Sequence, residues 1–130
     1  MSDLQRLLHI EDDSSIREIV RIALEIVGGM TVKSCASGPE GLEVAEAFAP
    51  QFILLDVMMP GMDGPQTLRH LREKPALDDV PIVFMTAKVQ PPEIEEYQRM
   101  GAAHVITKPF DPMTLPEQVR TIWSQWHAAH

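Results

Sequence analysis

Phe52-Ile53-Leu54-Leu55-Asp56, followed by Val57-Met58-Met59-Pro60-Gly61-Met62-Asp63-Gly64, is the stretch that decides the fold. Four consecutive apolar residues cannot alternate between core and solvent, so they predict a strand buried on both faces, the habit of a parallel sheet. The run ends in the carboxylate of Asp56, and the Pro60-Gly61 and Asp63-Gly64 pairs turn the chain at once. A buried strand that delivers an acid to its carboxyl end is costly unless that acid meets a cation or does chemistry.

Working outward, strand-like runs recur at Leu7–Ile10, Thr31–Cys35, Phe52–Leu55, Ile82–Met85 and Val105–Ile106. Segments with helical period lie between them. Ile16, Ile19, Val20, Ala23, Leu24 and Val27 form the first apolar stripe, stopped by Gly28-Gly29, and Ser15 with Glu18 predicts a capping box at its start. Ser37 with Glu40 repeats the device before Leu42, Ala45 and Phe48, and Pro50 closes that helix. Asp63 caps a third helix carrying Leu68 and Leu71; a fourth spans Glu93–Met100 behind Pro91-Pro92. Thr114 with Glu117 predicts another capping box, with Pro116 in the first turn and Leu115, Val119, Ile122 and Trp126 on the core face. Five β-then-α alternations imply an α/β fold, a doubly wound five-stranded parallel sheet with helices on both faces.

At 130 residues the chain is one domain's worth, expected to be a single unit over 1–130 with no output domain. A net charge of −8 argues against direct nucleic-acid binding, which needs clustered Lys and Arg. No apolar run approaches a membrane span, and Met1-Ser2-Asp3-Leu4-Gln5-Arg6 lacks the order of a secretion signal. Cys35 stands alone, which excludes an intrachain disulfide and fits a cytoplasmic setting.

In such a sheet, sites form outside the carboxyl ends of the strands. That rule selects Glu11-Asp12-Asp13, Asp56, Thr86-Ala87 and Thr107-Lys108-Pro109. Taken alone, the first acids read as helix caps and Thr86 as an ordinary strand end. Together they converge. Carboxylates within a few ångströms repel one another and take up protons unless a cation intervenes. An all-oxygen set with no His or Cys ligand pattern favours a hard ion, Mg²⁺ or Mn²⁺, over Zn²⁺. Pro109 after Lys108 invites a cis bond that would aim the lysine. A carboxylate nucleophile, a hard metal, a hydroxyl and a lysine make a phosphoryl-transfer site whose product is an aspartyl phosphate on Asp56. The histidines at 9, 70, 104, 127 and 130 show no ligand spacing and read as packing or surface residues. Of Trp123 and Trp126, one is expected to pack inward and the other is a candidate anchor for a partner.

Ile10-Glu11-Asp12-Asp13, Leu55-Asp56-Val57-Met58-Met59-Pro60, Met62-Asp63-Gly64, Met85-Thr86-Ala87 and Lys108-Pro109-Phe110, in that order, make the chain resemble the receiver domain of bacterial two-component response regulators, in particular the stand-alone, chemotaxis-regulator kind. The resemblance implies a flavodoxin-like sheet of order 2-1-3-4-5. It implies Asp56 as phosphoacceptor, Thr86 as switch hydroxyl and Lys108 as phosphoryl-binding lysine. It implies a metal held by Glu11, Asp12, Asp56 and the backbone carbonyl of Met58. The acid pair is placed from Ile16, which leaves Asp13 as a bystander near the helix start. Implied partners are a sensor histidine kinase or a histidine phosphotransfer protein, plus an unknown output protein. The surface of the fourth helix, the strand at Val105 and the last helix is expected to receive a partner or form a phosphorylation-dependent dimer.

One departure stands out: the family commonly carries Tyr or Phe where this chain has Val105, so the signal is expected to travel mainly through the backbone from Ala87 to Glu93 and the helix beyond. The expected behaviour is a self-phosphorylating and autodephosphorylating switch rather than a turnover enzyme. A relay intermediate is a close variant. A haloacid-dehalogenase-type phosphatase is the alternative from another class, disfavoured because no Asp-x-Asp motif follows the first strand.

Overall fold

In a computed structural model, which describes residues 3–130, five parallel strands pair in the order β2-β1-β3-β4-β5. Met1 and Ser2, part of the N-terminal stretch read above for a leader, lie outside the described residues. The strands are β1 (Arg6–Ile10), β2 (Thr31–Cys35), β3 (Phe52–Asp56), β4 (Ile82–Thr86) and β5 (His104–Thr107). The helices are α1 (Ser14–Ile22, continued by a π segment over Ala23–Val27), α2 (Gly38–Phe48), α3 (Gly64–Arg72), α4 (Pro91–Arg99) and α5 (Leu115–Ala129). No helix among the described residues is long and apolar enough to cross a membrane.

Every residue of β3 and β4 is buried, so their apolar runs serve two cores at once. On one face Leu8, Ile10, Ile53, Leu55, Ile82 and Phe84 meet Leu68, Leu71 and Tyr97. On the other, Leu7, Phe52, Leu54, Val83 and Met85 meet Val20, Leu24, Leu115, Val119 and Trp123. Each fully buried Leu, Ile or Phe contributes about 1.5–3 kcal/mol. The sheet is therefore the rigid frame on which the strand ends are hung.

The helix starts differ from the sequence in three places. Asp13, not Ser15, caps α1: its Oδ1 accepts from the backbone N–H of Ser15 and Ile16 at 2.8 and 3.1 Å. Both residues carry a capping signature, and the one that stands where the chain turns out of β1 takes the role; Glu18 pairs with Arg21 instead. Thr114 makes no cap. Its backbone is already helical, and its hydroxyl donates to Asp111 O at 3.3 Å. Ser37 accepts from Glu40 N at 3.2 Å, but the Glu40 carboxylate reaches Ala36 N rather than closing a box. Asp63 and Gln66 form the full reciprocal pair at 2.9 and 3.0 Å.

Two apolar stripes are also corrected. Ile19 and Val27 are exposed, as is Ile26, while Val20, Ala23 and Leu24 are buried. Ile19 stands at the solvent edge of the stripe, whereas Val27 falls in the π segment, where Gly28 N donates to Ala23 O and the 3.6-residue period no longer holds. On α5 Trp123, not Trp126, completes the core face; Trp126 is half-buried and its Nε1 donates to Asp79 O at 3.0 Å.

Candidate functional site

Strands β1, β3, β4 and β5 end side by side, and each end delivers one polar side chain: Glu11, Asp56, Thr86 and Lys108. The chain order reverses between β1 and β3, where crevices open in sheets of this kind. A depression of about 330 Å³ there is lined by Glu11, Asp12, Asp56, Met58, Thr86 and Lys108, among others. Met58 lies on its rim with its side chain largely exposed.

Glu11 and Asp56 are buried, Asp12 is exposed, and one carboxylate oxygen from each lies within 4.8 Å of the others. Asp13 is not in this cluster; its carboxylate is spent on α1. Lys108 Nζ donates to Glu11 Oε1 at 2.7 Å and to Asp56 Oδ1 at 2.9 Å. The Lys108–Pro109 bond is cis. Burial raises the Glu11 carboxyl from 4.5 to about 7, with the Lys108 hydrogen bond opposing it and the Asp56 charge adding to it. Burial works against the Lys108 ammonium, but its bonds to Glu11 and Asp56 outweigh that and raise its pKa.

The donor set fits a hard divalent cation. Three carboxylates meet one ammonium, which leaves two negative charges, and Glu11 resists ionising in that company. Among the described residues no protein group bonds Asp56 Oδ2 or the Asp12 carboxylate. Glu11, Asp12 and Asp56 are therefore the side chains able to hold Mg²⁺ or Mn²⁺.

Thr86 is buried on β4, and its Oγ1 accepts from Lys88 N at 3.1 Å. Its backbone carbonyl accepts from Lys108 N at 2.9 Å, which ties the threonine strand end to the lysine strand end. Val105 is half-buried beside Phe84, its partner in register. Against Phe84 packs the Tyr97 ring of α4, edge-on with centroids 5.2 Å apart. Tyr97 was missed in the sequence because α4 is weakly patterned. Arg17 was missed as well: its Nη1 donates to the backbone carbonyls of Glu11 and Asp12 at 2.8 and 2.9 Å.

Residues 7–120 match the response regulator receiver domain model, and the chain belongs to that family. It is similar to the transcriptional regulatory protein CseB of Streptomyces coelicolor, 35% identical over 94% of this chain and 50% of that protein. It is 33% identical to the response regulator Rre1 of Synechocystis sp. over 99% of this chain and 56% of that protein. The chain thus spans about half the length of the curated relatives it matches. Among solved structures, the chemotaxis protein CheY4 of Vibrio cholerae superposes with a TM-score of 0.86 at 29% identity, covering 92% of this chain and 98% of that one. Receivers of two-component systems are phosphorylation-dependent signalling switches rather than turnover enzymes, and the membership sets aside the haloacid-dehalogenase alternative.

Proposed function

We propose that this chain, read as one receiver unit over 1–130, takes a phosphoryl group onto Asp56 from a phosphohistidine of a sensor kinase or phosphotransfer protein. The observation that carries this is the Lys108 ammonium seated between the buried carboxylates of Glu11 and Asp56 at the strand ends. A carboxylate oxygen of Asp56 attacks phosphorus; a P–O bond forms as the P–N bond breaks, and the electron pair leaves with the imidazole nitrogen. Lys108, already pointed at Asp56, offsets charge on the transferring oxygens. Glu11, Asp12 and Asp56, with the Met58 carbonyl, would hold a divalent cation, whose charge would neutralise the acids and polarise the phosphoryl group.

Thr86 reads the result. Its hydroxyl accepts from Lys88 N and keeps its own proton free to donate to a phosphoryl oxygen. A swing toward Asp56 gives up the Lys88 bond and releases the segment from Ala87 to α4. The output is contact with another protein, or with a second copy, on the face of α4, β5 and α5. A groove of about 620 Å³ runs along the β5 and α5 part of that face, beside Val105, Phe110, Thr114, Gln118 and Ile122. Hydrolysis of the acyl phosphate resets the switch, and the setting is the cytoplasm.

Incubation with acetyl phosphate and Mg²⁺ should add one phosphoryl mass to the wild type and none to Asp56→Asn. Equal uptake by Asp56→Asn would overturn the choice of acceptor.

A further inference from the structure

We propose that Arg17 is a positioning residue for the metal site: its guanidinium holds the backbone of Glu11 and Asp12 in the turn that makes their carboxylates converge on Asp56. The inference rests on the reading of Glu11 and Asp12 as the metal pair. Successive carbonyls of a strand point to opposite sides, so a single nitrogen reaches two consecutive ones only where the chain has left the pleat. Arg17 Nη1 does this, at 2.8 Å to Glu11 O and 2.9 Å to Asp12 O. The ladder from β2 ends one atom group earlier, with Glu11 N donating to Cys35 O at 3.0 Å. Among the described residues no backbone N–H donates to either carbonyl beyond that point. The remaining ties leave those carbonyls untouched: Glu11 Oε2 accepts from Asp13 N at 3.2 Å, and Asp13 caps α1. Arg17, half-buried in the first turns of α1, closes the loop back onto the helix that Asp13 starts.

The proposal makes a prediction opposite in sign to that of charge alone. A cation beside a cation site repels the incoming metal, so a residue acting only by charge strengthens metal binding when it is neutralised. A positioning residue weakens binding when removed, by about tenfold or more as for other supports of metal ligands. Lysine keeps the repulsion, but its side chain is one bond shorter than the path to Arg17 Nη1, so its ammonium falls short of the two carbonyls. Mg²⁺ affinity should therefore run wild type first, then Arg17→Met, with Arg17→Lys equal or lower.

The experiment titrates Mg²⁺ into the three proteins and into Asp12→Asn, following backbone amide shifts of the segment 12–16 and of Ala87 and Lys88. Metal-free stability is measured alongside in urea. The expected result is an affinity loss of about tenfold in Arg17→Met. Affinity equal to or tighter than wild type, whether or not stability falls, overturns the proposal. Should Arg17→Met not fold, wild-type affinity in Arg17→Lys overturns it equally. Undiminished binding in Asp12→Asn would instead overturn the metal pair itself, and the Arg17 role with it.

Discussion

Gly64→Ala should damage both the fold and the site, against the ordinary preference of helices. Gly64 is the first residue of α3, where alanine gains up to about 1 kcal/mol in helix propensity. A Cβ at this position, however, would stand 2.5 Å from the Asp56 carbonyl oxygen and 2.7 Å from Val57 Cα. Ordinary contact begins at 3.4 Å, and backbone atoms cannot rotate aside as a side chain does. Overpacking of this kind costs about 1–3 kcal/mol, and here the upper end applies, so the net loss is about 1–2 kcal/mol. The strain also falls on the peptide unit of Asp56, the proposed phosphoacceptor. The Asp56–Lys108 bond is 2.9 Å, so a displacement of about half an ångström is enough to weaken it. Gly29→Ala is the matched control: it has φ +72° and nothing within 4 Å, so alanine costs about 1–2 kcal/mol there, far from the strand ends that carry the acids. Urea unfolding should show similar losses for the two variants. Mg²⁺ titration and phosphoryl uptake should fall only in Gly64→Ala. A Gly64→Ala protein as stable as wild type with unchanged Mg²⁺ affinity would refute the reasoning.

His9 lies buried on β1 with neither ring nitrogen bonded, and burial, helped by the charges of Lys108 and Arg17, lowers its pKa from 6.5 to about 3. As pH falls below 6.5 the unfolded chain binds a proton that the fold refuses, so stability is lost progressively down to about pH 3. Between about pH 7 and pH 4.5 wild type should lose about 2.5 kcal/mol more than His9→Leu in urea unfolding without metal, and parallel losses would count against this. Lys108→Met strands two buried carboxylates and should cost about 3 kcal/mol in metal-free buffer at neutral pH, with part recovered when Mg²⁺ is added; a cost that ignores Mg²⁺ would contradict the charge balance drawn for the site. Tyr97 is the only tyrosine in the chain, so its ring signals report α4 without assignment ambiguity. Beryllofluoride should shift them, and unmoved signals would exclude a route through the Phe84–Tyr97 contact.

What could be read in the sequence was what side chains announce by type and position. The run Phe52–Asp56 declares a strand buried on both faces because no period is needed to see it, and the acid at its end is placed by the fold rule alone. Asp63 is legible as a cap because a short acid stands just before the third helix; that Gln66 completes a reciprocal pair with it emerges only in the structure. Ser15 and Glu18 have the same spacing and fail because Asp13 reaches the open N–H groups first, a choice made by the turn out of β1 rather than by the residues. The α1 stripe fails at Val27 because the helix widens to π geometry over Ala23–Val27 and abandons the period on which the stripe rests, and at Ile19 because that position lies at the solvent edge of the stripe, beside the buried Val20. Arg17 is the hardest to foresee. Its partners are carbonyls, which every residue carries, so no residue type marks the place where it binds. Val105 and Tyr97 carry the same lesson into the switch. The sequence shows a short side chain, Val105, on β5; only the fold shows that a ring from α4 packs on Phe84, the register partner of Val105. An aromatic on a strand could reorient while its backbone stayed still. One on α4 moves when the helix moves, which ties any repacking around Phe84 directly to the surface that a partner would meet.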